Sequence, residues 1–86
     1  MSKIKIQNQQ LPMAATVKYI RDDNGSTVSQ SVPKRNTVTT KYGLRDNTNV
    51  TVYVWDKSHS ITYENGHDTL VILQEGAKND FGLNWK

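Results

Sequence analysis

The run LVIL at residues 70–73 is apolar at four successive positions. Successive side chains of a β-strand point to opposite faces of the sheet, so this run would present apolar side chains on both faces. We therefore predict a central strand that is covered from two sides. A strand covered above and below requires two stacked layers, and a chain of 86 residues then has little room for an enclosed reaction chamber.

Period-two alternation of apolar and polar residues recurs along the chain, which favours β-strands throughout. It is seen in KIKIQ (3–7), ATVKYI (15–20), TVTTKY (37–42), VTVYVW (50–55) and FGLNW (81–85). No window shows an amphipathic helical stripe of useful length. With turn residues roughly every ten positions, the pattern predicts an all-β fold: a single small antiparallel β-sandwich, immunoglobulin-like or jelly-roll-like, of about eight short strands over residues 1–86. A small β-barrel is the alternative.

Two Asn-Gly pairs, 24–25 and 65–66, each lie between β-forming segments. Such a pair is a strong signal for a two-residue type I′ hairpin, because both central residues need a positive φ. The first predicts Tyr19 opposite Gln30 and collects Val17, Tyr19, Val28 and Val32 on one face. Lys18, Ile20, Ser29 and Ser31 then lie on the other face. The second predicts a hairpin in which residues 61–64 pair with residues 67–70.

Residues 32–44, VPKRNTVTTKYGL, place a proline and a turn before alternating threonine and valine. This segment resembles a pattern that recurs in many sandwich domains, including immunoglobulin-like ones. The resemblance covers about a dozen residues and implies the sandwich fold alone.

Composition narrows the classes of function. The chain has no cysteine, which excludes disulfides, thiolate metal sites and cysteine nucleophiles. The net charge of +3 comes from scattered basic residues, a spread that favours solubility over a phosphate-binding track. Ser, Thr, Asn and Gln make up 28 of the 86 residues, which suggests a hydrogen-bonding surface. No apolar run is long enough for a signal peptide or a membrane span, so we expect a soluble product that is cytoplasmic as synthesised.

Catalytic and metal-binding motifs are not found in the sequence, and we expect a non-enzymatic protein without a cofactor. The two histidines, His59 and His67, are expected in exposed turns at opposite ends of a hairpin, too far apart to share a metal within one molecule. A small enzyme that uses the His67 hairpin, with Tyr63, Glu64 and Asp68 as neighbours, is one alternative. It would need a shifted pKa and a shaped pocket, and a hairpin tip is exposed to water.

The leading hypothesis is a binding or assembly module that recognises a protein, glycan or lipid surface. Its candidate site is a polar aromatic sheet face formed by Tyr53, Trp55, Tyr63 and Thr51, where stacking surface lies among hydrogen-bonding groups. The competing interpretation places Trp55 or Trp85 in the core as cover for residues 70–73.

Two alternatives concern other partners. Open strand edges, in KIKIQ or FGLNWK, could pair between protomers and make the chain a self-assembling structural subunit. Nucleic-acid binding by a small barrel is the minority alternative, because the chain carries eight acidic residues beside eleven basic ones.

Overall fold

The computed structural model describes residues 3–75 and 80–86. These residues form eight β-strands, which confirms the predicted number and type of elements. The strands are β1 (Lys5–Asn8), β2 (Ala15–Ile20), β3 (Thr27–Val32), β4 (Asn36–Thr39), β5 (Thr48–Val54), β6 (Lys57–Tyr63), β7 (Thr69–Glu75) and β8 (Asp80–Trp85). Within the described ranges, no helix has the length and apolar character to cross a membrane.

The strands form two packed sheets of four, so the predicted β-sandwich is confirmed. The first sheet has the order β4-β1-β7-β8 and the second has the order β3-β2-β5-β6. All neighbouring strands are antiparallel except β1 and β7, which run parallel. A parallel pair needs a long crossover connection, and here the strands between β1 and β7 provide it by passing through both sheets.

The core lies between the two sheets and follows the period-two alternation of the strands. In β2, for example, Ala15, Val17 and Tyr19 are buried while Thr16 and Lys18 are exposed. The buried apolar residues are Ile4, Ile6, Leu11, Ala15, Val17, Tyr19, Val32, Leu44, Val50, Val52, Val54, Tyr63, Leu70, Ile72 and Phe81.

Strand β7 contains the LVIL run and lies in the interior of its sheet, between β1 and β8, as predicted. Leu70 and Ile72 point into the core and are fully buried. Val71 and Leu73 point to the outer face and are half-buried. Cover from the second side is therefore partial, because the described residues form two sheets and no third layer lies over the outer face of the first.

The Asn24-Gly25 segment does join two paired strands, but its register differs from the prediction by two residues. Tyr19 lies opposite Val28, and the chain reverses through four residues, 22–25, between Arg21 and Ser26. Only the glycine of the pair has a positive φ, 74° at Gly25, whereas a type I′ turn needs two such residues. A shift of two residues preserves the faces, so Tyr19 still points inward with the valines.

The hairpin predicted at Asn65-Gly66 is wrong. Strand β6 pairs with β5 in the second sheet, while β7 pairs with β1 and β8 in the first sheet. The segment between them carries the chain from one sheet to the other, and Asp46 accepts a hydrogen bond from the Asn65 backbone N–H at 2.7 Å. By changing sheets, the apolar β7 gains a neighbouring strand on each side. In a hairpin it would instead lie next to β6, which is the edge of the second sheet.

Of the two edges predicted for pairing between protomers, KIKIQ is not an edge. It forms β1, which is paired on both sides. FGLNWK forms β8, which is an edge of the first sheet and lies beside β6 of the second. There the Trp85 indole N–H donates to the Thr62 carbonyl oxygen at 3.1 Å, so a side-chain hydrogen bond crosses from one sheet to the other.

Candidate functional site

The outward side of the second sheet is unusually rich in hydroxyl groups, and we call it the hydroxyl face. The strand registers align outward side chains in rows across the sheet. One such row contains Ser29, Lys18, Thr51 and Ser60. Alternation along the four strands assigns twelve residues to this face: Thr27, Ser29, Ser31, Thr16, Lys18, Ile20, Asn49, Thr51, Tyr53, Ser58, Ser60 and Thr62. Eight of them are serine or threonine, so the face offers many groups that both donate and accept hydrogen bonds.

Two of the four residues predicted as a site lie on this face. Thr51 and Tyr53 point outward from β5, and Tyr53 is the large hydrophobic side chain that is most open to solvent among the described residues, at 40%. Lys18 and Thr51 are direct cross-strand neighbours.

The other two predicted residues are not part of the face. Tyr63 is 1% exposed and lies in the core, because it follows the outward-facing Ser58 by an odd number of residues along β6. Trp55 comes after β5 has ended, has a φ of 56°, and packs half-buried against the core. The left-handed backbone at Trp55 interrupts the alternation that would have placed its ring beside Tyr53. Tyr63 and Trp55 therefore pack with the core and not beside Tyr53 on the hydroxyl face.

A depression of about 200 Å³ lies on the hydroxyl face beside Tyr53. It is lined by Lys18, Tyr19, Ile20, Thr27, Asn49, Thr51 and Tyr53. The ammonium nitrogen of Lys18 lies 5.1 Å from the centre of the Tyr53 ring, within the range of a cation–π contact. An aromatic ring, an amide, hydroxyl groups and a cation thus converge on one open concavity.

Hydrogen bonds between neighbouring strands order the polar groups beside this depression. The Thr51 and Ser60 hydroxyl oxygens are 2.9 Å apart, and the Thr62 hydroxyl donates to the Asn49 side-chain oxygen at 3.1 Å. Side chains that are already held in place lose less conformational entropy when a ligand binds. The rigid sheet therefore presents a largely preformed surface.

Sequence reasoning did not select Lys18, Asn49 or Thr27 as site residues. The alternation around the first Asn-Gly pair had already put Lys18 and Ile20 on a face opposite the valines. What it lacked was the pairing of β2 with β5, which brings Lys18 next to Thr51 and Tyr53.

Both histidines make contacts where β6 meets β8, and the turn predicted for His59 is wrong because His59 lies in a strand. His59 lies within β6, with Nε2 2.9 Å from an Asp80 carboxylate oxygen and its ring edge-on to Phe81. His67 stacks on Trp85 with ring centres 4.6 Å apart. These partners, Asp80, Phe81 and Trp85, all lie in β8 of the first sheet. No local pattern in the sequence indicates them.

The His59–Asp80 contact makes a contribution to stability that depends on pH. The hydrogen bonds from His59 and from the Phe81 backbone N–H hold the pKa of the Asp80 carboxyl below its usual value. An unfolded aspartate titrates at about 3.9. The contribution is therefore complete above that pH and is lost as the pH falls through the lower folded pKa, since the unfolded state takes up the proton first.

We expect the wild-type chain to lose more stability between pH 5 and pH 2 than an Asp80→Asn variant loses over the same interval. Urea unfolding at both pH values measures this difference. Asp56→Asn, in the turn between β5 and β6, is the matched control for the loss of one carboxylate. An equal acid sensitivity of wild type and Asp80→Asn would contradict the assignment.

Within the described residues, no group of three or more His, Cys, Asp or Glu side chains is placed to hold a metal ion. The residues considered for a His67-based enzyme do not share one exposed surface. Tyr63 is buried in the core, and Trp85 contacts both the Tyr63 and the His67 rings.

The hydroxyl face combines a partly exposed aromatic ring with ordered donors and acceptors around a concavity, an arrangement suited to holding a small polar ligand. Matches to the chain were sought among protein-family models, curated proteins and solved structures, and none was found.

Proposed function

We propose that this chain is a non-enzymatic binding module that takes a carbohydrate on the hydroxyl face. The observation that carries the proposal is the depression beside Tyr53, where a half-open aromatic ring adjoins Asn49 and Thr51. A sugar ring has an apolar C–H surface and a rim of hydroxyl groups. Tyr53 supplies the stacking surface, and the amide and hydroxyl groups pair with the rim.

The composition of the face favours a carbohydrate over a lipid surface or a protein. Binding into a membrane interface requires a broad apolar side, and protein interfaces have an apolar centre. Among the twelve residues of the hydroxyl face, Ile20 and Tyr53 are the large apolar side chains, and Ile20 is half-buried. A surface of hydroxyl groups around one ring offers little apolar area to bury, so its ligand must be polar itself.

Nucleic acid is also a poor match to the face. Affinity for a nucleic acid comes largely from several Lys or Arg contacts to phosphates. Lys18 is the single basic residue among the twelve.

Replacing Tyr53 by alanine is expected to weaken carbohydrate binding about tenfold or more, because loss of one stacking contact together with its buried area is worth about 1.4 kcal/mol. The Tyr53→Phe variant keeps the ring and should retain most of the affinity. Two-dimensional NMR titration of the ¹⁵N-labelled chain with a panel of oligosaccharides measures both the affinity and the location of binding.

Gln7→Ala is the matched control, because Gln7 lies in β1 of the other sheet. It should bind like the wild type. Two results would count against the proposal: unchanged affinity of Tyr53→Ala, or amide shifts that map to the first sheet. Absence of any shift with the whole panel would also overturn it.

A further inference from the structure

Lys18 is the only charged residue among the twelve described positions of the hydroxyl face. It lies on β2, in the interior of the second sheet, between Ser29 on one neighbouring strand and Thr51 on the other. The remaining positions are hydroxyl, amide, tyrosine or isoleucine residues. An anionic group that approaches this face therefore meets one cation and no carboxylate.

Among the residues that the structure describes, the ammonium group of Lys18 has no ion-pair partner. The pairs in the described part of the chain are Arg21–Asp23 and His59–Asp80. Instead, Lys18 lies over the Tyr53 ring, a contact that is weak at an exposed site. Hydrogen bonds between an ammonium and a carboxylate or sulfate are roughly twice as strong as those between neutral groups. An anion can thus draw the ammonium away from the ring at a small cost.

The contact between Lys18 and Tyr53 also fixes the position of the ammonium group before a ligand binds. Both side chains line the same depression, together with Asn49 and Thr51. A sugar that stacks on Tyr53 and pairs with these polar groups brings its ring substituents next to the ammonium.

We propose that the saccharide bound by this face is acidic, and that Lys18 binds its carboxylate or sulfate group. This inference rests on the proposed function and names the class of ligand. A neutral sugar can use Tyr53, Asn49 and Thr51, but it leaves the one charge of the face without a partner. Charge complementarity therefore selects an acidic saccharide.

The test compares acidic and neutral members of two matched pairs: trigalacturonic acid with its methyl ester, and sialyllactose with the methyl ester of its sialic acid carboxyl group. Each is titrated into the ¹⁵N-labelled chain at low salt. We expect at least one acidic member to bind about tenfold more tightly than its neutral partner, with amide shifts centred on Lys18, Thr51 and Tyr53. Lys18→Gln should reduce this preference, measured as the ratio of the two affinities, to near unity.

Lys57→Gln is the control for the loss of one positive charge, because Lys57 is exposed at the start of β6 and lies outside the hydroxyl face. It should keep the preference for the acid. Single-stranded DNA is titrated as a polyanion for comparison. Its affinity would fall steeply with salt because it binds through several phosphates, whereas the affinity of a sugar held by one ammonium contact would fall only weakly.

The outcomes separate this inference from the proposed function. Equal binding of acidic and neutral members at Tyr53 overturns the inference and leaves a carbohydrate site. A preference that survives in Lys18→Gln overturns the role of Lys18. If neither these sugars nor any of the earlier panel shifts the hydroxyl face, both proposals fall. Tighter, steeply salt-dependent binding of DNA at this face would replace both with a nucleic-acid ligand.

Discussion

Replacing Ile72 by alanine is expected to lower the free energy of unfolding by about 2–5 kcal/mol. Ile72 is fully buried on the inner side of β7 and lies opposite Leu83 of β8. Truncation removes its transfer free energy and leaves a cavity that the surrounding sheets fill only in part. A domain of this size has a total stability of about 4–13 kcal/mol, so this single substitution removes a large share of it. Urea unfolding followed by tryptophan fluorescence measures the difference.

Val71→Ala is the matched control within the same strand. Val71 precedes Ile72 and points to the outer face, where it is half-buried. We expect this substitution to cost about 1 kcal/mol, mainly through lost packing against neighbours on the sheet surface. Similar losses for both variants would show that β7 is covered equally on its two sides, contrary to the two-layer structure.

Replacing Asn8 by alanine is expected to destabilise the chain by about 2–4 kcal/mol. Asn8 is fully buried in β1, and its side-chain NH₂ group donates to the carbonyl oxygens of Met13 at 3.0 Å, Val32 at 3.3 Å and Pro33 at 3.4 Å. Since Val32 ends β3, the amide links the first sheet to the second. Alanine removes the donor from all three carbonyl groups, and buried acceptors without donors are costly.

Asn8→Asp sharpens the test because it preserves shape while replacing the donor by an oxygen. At pH 7 its buried carboxylate faces the same carbonyl oxygens, and we expect a loss of about 3–5 kcal/mol, larger than that of Asn8→Ala. The difference in stability between Asn8→Asp and Asn8→Ala should become smaller in acid, where a protonated carboxyl can donate a hydrogen bond. Urea unfolding of both variants at pH 7 and pH 4 gives this comparison. An Asn8→Asp variant as stable as the wild type would refute the inter-sheet role of the amide.

The inward and outward faces of the strands were predictable because alternation depends only on local geometry. Val17 and Tyr19 were predicted to share one face and are both buried on the inner side, even though the predicted register of the hairpin was displaced by two residues. An even displacement leaves each side chain on its own face. Face assignment is therefore more robust than register assignment.

The candidate site was predictable only in part. Thr51 and Tyr53 lie together on an outer face, whereas Tyr63, which was assigned to that face from its place on a neighbouring strand, points into the core. Trp55 was assigned to the outer face by extending the alternation through a residue with a left-handed backbone. Trp55 lies in the connection between β5 and β6, and the inward direction of Tyr63 follows from the register across that connection, which local patterns do not show.

The amino-acid sequence by itself determined the all-β class, the two-layer architecture and the face of most strand residues, because alternation and apolar runs are properties of short segments. Apart from the pairing of β2 with β3, which the Asn24-Gly25 segment predicted, the tertiary structure decided which strands are neighbours, because pairing depends on contacts between distant segments that compete for cover and for hydrogen bonds. It placed β7 between β1 and β8, and it set Lys18 of β2 beside Tyr53 of β5. The proposed carbohydrate site depends on that second pairing, which no local pattern in either strand encodes.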